Sequence, residues 1–173
     1  MAQRHDEILG LGARVFAIDV DTPEQHSAMI EKLDLPFPML SDPDRSLAIE
    51  PLGLADPKHP GKIAHPAIII VTSDGTEAYR RVSRDFADRL AEDELVDALR
   101  RLGLPPTDQE PPIVGSAVAG ERAMPDHAML PYWRGARFAA VALGSRHPQA
   151  KEDADQLVAQ MDRFTEAYKA RLR

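Results

Sequence analysis

The stretch ARVFAIDVDTPEQ, residues 13–25, constrains the fold more than any other part of the chain. Its first half is rich in β-branched and aromatic residues and predicts a buried strand over 14–20. Thr22, Pro23 and Gln25 then have the spacing of an N-cap, a first-turn proline and a capping box, which predicts a helix. A buried strand followed directly by a helix is typical of a parallel sheet, in which strands have neighbours on both sides. Since only 12 residues of this sequence precede the stretch, we expect part of the sheet to come from elsewhere.

The segment after this helix predicts an irregular crossover. Four prolines interrupt residues 34–54 and exclude a long helix there. Ser41 or Asp42 is expected to cap a short helix around 43–49, because both are good N-cap residues.

The clearest pattern in the chain predicts an antiparallel hairpin. An apolar strand is expected at 67–72, a turn at 73–75 (Ser-Asp-Gly) and a more polar strand at about 77–83. An amphipathic pattern then predicts a helix over 90–102, ended by a glycine.

The C-terminal part predicts a linker and a helical extension. Residues 103–125 are rich in proline and are expected to form the linker. Residues 126–173 follow as the extension, and residues 130–143 within it are open between a helix and a strand. Four alanines favour a helix there, whereas RFAAVAL alone also suits a buried strand. The last helix has an apolar stripe at helical spacing, made of Leu157, Met161, Phe164, Tyr168 and Leu172.

The composition excludes several classes of function. The chain contains no cysteine, which excludes disulfides, thiolate metal sites and cysteine nucleophiles within it. The net charge of −7 lies entirely in residues 1–102, which hold 12 basic and 19 acidic side chains, and this argues against nucleic-acid binding. No signal peptide or long apolar run occurs, so we expect a cytoplasmic protein without a membrane partner. The six histidines lack metal-ligand spacing, and we expect neither a metal nor another cofactor.

Three motifs resemble a known family. LGARVFAIDVDTPEQH and LPFPMLSDPDRSLAIEPLGL are similar to peroxiredoxins of the alkyl hydroperoxide reductase and thiol-specific antioxidant family, and FPMLSDPD is the most specific piece. HPAIIIVTSDG, residues 65–75, resembles the hairpin of the same family. The resemblance covers about residues 8–102 and implies an α/β fold, an incomplete thioredoxin-like domain over 1–102 with a helical C-terminal extension.

The resemblance also implies thiol chemistry that this chain cannot perform alone. Members of the family attack peroxide with a cysteine thiolate in a Pro-x-x-x-Thr-x-x-Cys motif, which precedes the part matched here. The motif is absent, and no catalytic residue is assigned. His65 stands where the family has an arginine, Asp19 replaces its serine, and Asp21 matches its aspartate. We therefore expect a pseudoenzyme, without peroxidase activity by the family mechanism.

Two groups of residues are candidates for a remaining site. The resemblance places His65 and Pro66 at the cis-proline position of thioredoxin-like folds. His65, Pro66 and Asp21 are therefore expected to mark what is left of the substrate cleft. A strand-entry proline that is kept for folding is the simpler interpretation of Pro66. Asp19 and Asp21 could form a carboxylate pair, but acidic residues between a strand and a helix are ordinarily capping groups.

The C-terminal extension holds the candidate interface residues. Aromatic side chains beside arginines are enriched at protein interfaces and are also common in helix cores. The candidates are Tyr132, Trp133, Phe138, Leu157, Met161, Phe164 and Tyr168.

The missing neighbour of the first strand leaves two hypotheses for function. The gap is expected to be filled by another chain, by the C-terminal region or by a rearranged smaller sheet. The first hypothesis is a cysteine-less interaction or structural module that forms homo-oligomers. The second is a part of a thiol-dependent antioxidant peroxidase, an oxidoreductase whose catalytic strand comes from a partner chain or a longer product.

Overall fold

The structure, a computed structural model, describes residues 1–59, 61, 63–84, 88 and 92–172. Within these ranges the chain forms two compact units. Unit 1 comprises residues 1–83 and 90–121, and unit 2 comprises residues 84–89 and 122–173.

Unit 1 is a mixed α/β unit. After a 3₁₀ turn at Ala2–Arg4, its elements in chain order are α1 (His5–Gly10), β1 (Ala17–Asp19), α2 (Pro23–Leu33), β2 (Met39–Ser41), β3 (Ala67–Val71), β4 (Glu77–Val82) and α3 (Glu92–Leu102). The helix predicted over 90–102 is present from Glu92 onward, and residues 90 and 91 lie outside the described part of the chain.

Strands β1 and β2 pair in parallel, joined by helix α2. Ala17 lies opposite Met39, and the Ala17 N–H donates to the Pro38 carbonyl at 3.1 Å. The same register would require residue 38 to donate to the Val15 carbonyl, and a proline has no N–H to donate. For this reason β1 is shorter than the strand predicted over 14–20.

The predicted N-terminus of α2 is confirmed. The Thr22 side chain accepts from the Gln25 N–H, and the Gln25 side chain accepts from the Thr22 N–H at 2.8 Å, which completes the capping box. Pro23 occupies the first turn, and the helix ends at Asp34, whose backbone is left-handed. The local sequence therefore determines the start of this helix.

The predicted hairpin is also confirmed. Strands β3 and β4 pair antiparallel, with Ala67 opposite Val82. Gly75 in the connecting turn has φ +86°, and the Asp74 side chain accepts from the Thr76 N–H at 3.0 Å. A positive φ at that position favours glycine and accounts for the Asp-Gly sequence.

In the described part of the chain, the two pairs of strands remain separate sheets, and no strand lies between β1 and β3. The segment RFAAVAL does not replace the missing strand, because it lies within a helix of unit 2. Phe16 and Val71 are each 56% exposed, so the apolar strands that the sequence predicts as buried lack part of their cover.

The short helix expected around 43–49 does not form, and this prediction is wrong. Residues 42–53 form a series of turns around the buried Asp42 side chain. That carboxylate accepts from the backbone N–H groups of Leu47, Ala48 and Ile49 at 3.1, 2.9 and 2.9 Å. Asp42 is indeed a capping residue, but it gathers the donors of a turn instead of those at a helix start.

The core of unit 1 packs its last helix against its first helix and the parallel strand pair. The helix α3 contributes Leu95 and Leu99, which pack with Ile8 of α1, Val15 before β1 and Phe37 before β2. This packing stabilises α3 against α1 and the parallel pair, since burial of large aliphatic side chains is the main source of folding free energy.

Unit 2 is an antiparallel helical hairpin. Its helices are α4 (Asp126–Arg146) and α5 (Lys151–Arg171), joined by a 3₁₀ turn at Pro148–Ala150. Gly144 of α4 lies against Ala154 of α5, and an added Cβ at position 144 would be 3.0 Å from the Ala154 Cβ. Residues 130–143 are thus helical, which decides the alternative that the sequence leaves open.

Candidate functional site

The carboxyl ends of β1 and β2 place three polar residues beside the N-terminus of α2. Asp19 ends β1, Ser41 ends β2, and Asp21 lies in the loop that leads to the helix. The Asp21 N–H donates to Asp19 Oδ1 at 2.8 Å, and the Ser41 hydroxyl donates to the Asp21 carbonyl. The loop is thereby connected to both strands.

A histidine of α2 completes this cluster. His26 Nε2 lies 2.7 Å from Asp19 Oδ1, and the residue is only 2% exposed. Because a carboxylate accepts hydrogen bonds, Nε2 carries a proton in this arrangement. His26 Nδ1 is buried and has no hydrogen-bond partner among the described residues.

The sequence did not single out His26 for this role. The sequence distinguishes His65 through the family resemblance, whereas His26 is considered only through its spacing from the other histidines. The signal that would have identified His26 is its place one turn into a helix that directly follows the strand ending in Asp19. A side chain in the first turn of that helix can reach the end of β1.

The predicted cleft residues His65 and Pro66 lie at the entry to β3. The His65 N–H donates to the Leu54 carbonyl at 2.7 Å, and the peptide bond between His65 and Pro66 is trans, so the cis-proline expected from the resemblance is not present at this position. His65 Nε2 lies 3.9 Å from Asp56 Oδ1. The Lys58 backbone N–H, with help from the nearby His65 and against the effect of burial, holds the pKa of Asp56 below its usual value.

These candidates fall into two neighbourhoods. Asp21 belongs with Asp19, Ser41 and the start of α2, whereas His65 belongs with Asp56 and the loop before β3. Among the described residues, no hydrogen bond or ion pair joins Asp21 to His65. The three residues of the expected cleft therefore stay a prediction.

The chemistry available at the end of β1 is limited. The Ser41 hydroxyl donates to a carbonyl, so His26 does not activate it as a nucleophile. No three histidine, aspartate or glutamate side chains gather into a metal-binding group in the ranges that the structure describes. The Asp19–His26 pair thus joins a strand to a helix and positions the loop between them.

The candidate interface residues divide between the seam of unit 2 and its surface. The Trp133 ring lies 6.0 Å from the Phe164 ring and 5.5 Å from the Tyr168 ring, and Met161 is buried. The Tyr168 hydroxyl donates to the Asp126 carbonyl at 3.0 Å. Trp133, Phe164, Tyr168 and Met161 therefore hold α4 to α5, with Leu157 half-buried on the same helix.

Tyr132 and Phe138 are the two candidates that remain on the surface of α4. They are 50% and 61% exposed, and Val141 and Leu143 on the same helix are 45% and 49% exposed. With a turn of about 100° per residue, Phe138 and Val141 lie on one side of α4 and Tyr132 and Leu143 on the other. These exposed residues therefore form two small apolar patches and not one face.

Unit 1 is a mixed α/β unit in which a parallel strand pair joined by a capped helix is followed by an antiparallel hairpin and a helix, and the family that it matches implies a redoxin-like unit of thioredoxin-like fold. Residues 1–80 match the model of the AhpC/TSA family, and this part of the chain is peroxiredoxin-like. The match ends within β4, earlier than the limit of about 102 that the motifs indicate. No curated protein matches the chain.

The helices give one further finding. None of those in the described part of the chain combines the length and the apolar content that are needed to cross a bilayer.

Proposed function

We propose that this chain is a cysteine-less, peroxiredoxin-like interaction module that keeps the fold of the family without its chemistry. The observation that carries the proposal is that β1 pairs only with β2 and β3 only with β4 among the described residues, so that each of these strands has one unpaired edge. An unpaired strand edge is a ready site for an added strand. The half-buried apolar side chains of β1 and β3 add to the attraction of such a partner.

The open edge of β1 can be assigned from the hydrogen bonds on its other side. The Ala17 N–H donates to Pro38, and the Asp19 carbonyl accepts from the Asp42 N–H at 2.8 Å, so both residues turn towards β2. Backbone groups alternate along a strand, and Ile18 therefore turns its N–H and carbonyl to the opposite edge.

This edge supports a sharp test of the module. Ile18→Pro removes a backbone donor from the open edge only, whereas Ala17→Pro removes the donor that bonds Pro38 and should disrupt the fold. We expect the wild-type chain to sediment as an oligomer at micromolar concentration, and Ile18→Pro to weaken that association while circular dichroism stays native. A cooperatively folded wild-type monomer would contradict the proposal.

The surface of α4 gives the second interface to be tested. Phe138→Glu places a charge beside the exposed Val141 on the surface of α4. If Phe138→Glu dissociates the oligomer and Ile18→Pro does not, the helical extension forms the interface and the role of the β1 edge is refuted.

The module should have no peroxidase activity of its own. The family reaction begins with a cysteine thiolate, and this chain contains no cysteine. We expect the purified chain to consume hydrogen peroxide at the background rate in the presence of a dithiol. Thiol-dependent turnover would overturn this part of the proposal.

A second candidate function rests on the AhpC/TSA match over residues 1–80. In this hypothesis the chain is part of a thiol-dependent peroxidase, and another polypeptide or a longer product supplies the strand and the cysteine. An in-frame Pro-x-x-x-Thr-x-x-Cys motif in the DNA just upstream, or in an adjacent gene, would favour it. A cytoplasmic location stays a prediction under both hypotheses.

A further inference from the structure

Residues 104–120, which we call the strap, run along unit 1 without forming a helix or a strand. The strap lies in the segment that its proline content predicts to be a linker. It nevertheless forms hydrogen bonds to the end of α1, to Val15 two residues before β1 and to the first half of α2.

The amide of Gln109 makes the central contact. Its Nε2 donates to the Val15 carbonyl at 2.7 Å, and its Oε1 accepts from the Val15 N–H at 2.9 Å. Oε1 also lies 3.1 Å from Nε2 of His5, a residue that is 7% exposed. An amide turned the other way would face donors with donors, so this side chain has a single workable orientation.

The Gln109 amide takes the place of a strand. In the register of β1 and β2, the Val15 carbonyl would accept from residue 38, and Pro38 has no N–H. Val15 is 7% exposed, and unpaired backbone groups at a buried position are costly. The Gln109 amide pairs both backbone groups of Val15 at once.

Three single hydrogen bonds from backbone N–H groups also hold the strap. The Thr107 N–H donates to the Leu9 carbonyl at 2.9 Å, near the C-terminus of α1. Further along, the Gly115 N–H donates to the Ser27 hydroxyl at 3.1 Å, and the Val118 N–H donates to the Glu24 carbonyl at 3.0 Å.

Gly12 permits the close approach of the strap at its start. Its φ is +80°, and a Cβ at this position would lie 2.6 Å from the Leu104 Cβ and from the Pro105 carbonyl oxygen. The end of α1 is therefore shaped to receive the strap.

The strap buries little apolar surface of its own. Ile113 is 97% exposed and Val118 is 55% exposed. A segment that is held by a few specific hydrogen bonds and buries little apolar surface opens at a lower free energy than the core beneath it.

We propose that the strap is a latch on unit 1 that the Gln109 amide holds closed, and that it opens without unfolding the unit. Opening uncovers the Val15 backbone, the end of α1 and the Ser27 face of α2. Opening of the strap adds a conformational change to the proposed module, and it does not depend on which partner the module binds.

Substitutions of Gln109 distinguish the hydrogen bond that its amide donates to the Val15 carbonyl from the one that it accepts from the Val15 N–H. Gln109→Met keeps the length and loses both bonds to Val15. Gln109→Glu keeps an acceptor for the Val15 N–H and loses the donor to the Val15 carbonyl. Glu110→Gln, at the exposed neighbouring position, is the matched control.

Hydrogen exchange of the Val15 amide is the decisive measurement. We expect Gln109→Met to accelerate this exchange at least tenfold, Gln109→Glu to accelerate it less, and Glu110→Gln to leave it unchanged. The amides of Leu95 and Leu99 in the core should exchange at wild-type rates in all three variants, which distinguishes opening of the strap from global unfolding.

Thermolysin cleavage gives an independent readout, since this protease cuts before apolar residues such as Ile113 and Val114. Faster cleavage there in Gln109→Met, with an unchanged melting temperature, would support the latch. Equal exchange of Val15 in Gln109→Met and the wild type would overturn it. Acceleration at Leu95 and Leu99 to the same extent as at Val15 would also overturn it, because the strap would then open only with the whole unit.

Discussion

His26 Nε2 lies 2.7 Å from Asp19 Oδ1, and this contact joins the end of β1 to the first half of α2. Asp19 also accepts the Asp21 N–H, so one carboxylate holds the strand, the loop and the helix in a single arrangement. The pair of Asp19 and His26 resembles a catalytic dyad in geometry. Its role is structural, because the neighbouring Ser41 hydroxyl donates to a carbonyl and no metal-binding group gathers among the described residues.

Substitution of Asp19 should therefore affect stability. We expect Asp19→Ala to lower the free energy of unfolding by about 2 kcal/mol, because it removes the acceptor of two hydrogen bonds and leaves the buried His26 without a partner. Asp19→Asn can retain an acceptor towards His26 and should cost roughly half as much. Urea denaturation followed by circular dichroism measures both. Equal losses for the two variants would contradict this assignment.

Asp42 should make stability depend on pH. Although burial by itself raises its pKa, the N–H groups of Ile49, Leu47 and Ala48, with Arg45 nearby, hold the pKa of Asp42 below its usual value of 3.8. A carboxyl group with a lowered pKa in the folded state contributes stability above its unfolded pKa, and this contribution is lost as the pH falls through the folded value.

The substitution Asp42→Asn tests this dependence. The difference in unfolding free energy between wild type and Asp42→Asn should be largest near pH 7 and should shrink below about pH 4. Asp155→Asn, on the exposed surface of α5, is the control. A difference that does not change between pH 7 and pH 3 would contradict the role of the ionised carboxylate.

The capping box of α2 should contribute measurably to the free energy of unfolding. Thr22→Ala removes the side-chain acceptor for the Gln25 N–H, and we expect it to lower the free energy of unfolding by about 1 kcal/mol. Thr22→Ser keeps the hydroxyl and should cost a few tenths of a kcal/mol. Chemical denaturation compares the two variants, and a loss for Thr22→Ser as large as that for Thr22→Ala would refute the role of the hydroxyl.

The contact of α3 with the rest of unit 1 should depend on Leu99, which is 2% exposed. Leu99→Ala leaves a cavity among Ile8, Val15 and Phe37, and we expect a loss of about 3 kcal/mol. Leu47→Ala makes the same chemical change at a position that is 78% exposed, and it should cost less than about 0.5 kcal/mol. Similar losses at both positions would show that Leu99 does not belong to the core.

Local patterns in the sequence predicted the elements that local interactions stabilise. The capping box at Thr22 and Gln25 and the Asp-Gly turn of the hairpin depend on residues within a few positions of one another, and both are confirmed. The family resemblance depends on such motifs as well, and residues 1–80 match the AhpC/TSA family. The sequence predicted that Ser41 or Asp42 caps the segment that follows. The turn around Asp42 could not be distinguished from a short helix, because in both structures a capping side chain accepts from backbone N–H groups.

The sequence by itself determined the class of fold, the hairpin, the cap of α2 and the absence of a thiol, because each follows from residue types at short spacing. Tertiary structure alone decided that His26 meets Asp19, that residues 130–143 are helical and that Gln109 pairs with Val15 across 94 positions. Such contacts depend on the path of the whole backbone. A side chain that replaces a strand has no pattern of its own in the sequence, and it becomes visible only where the backbone groups that it pairs are left open.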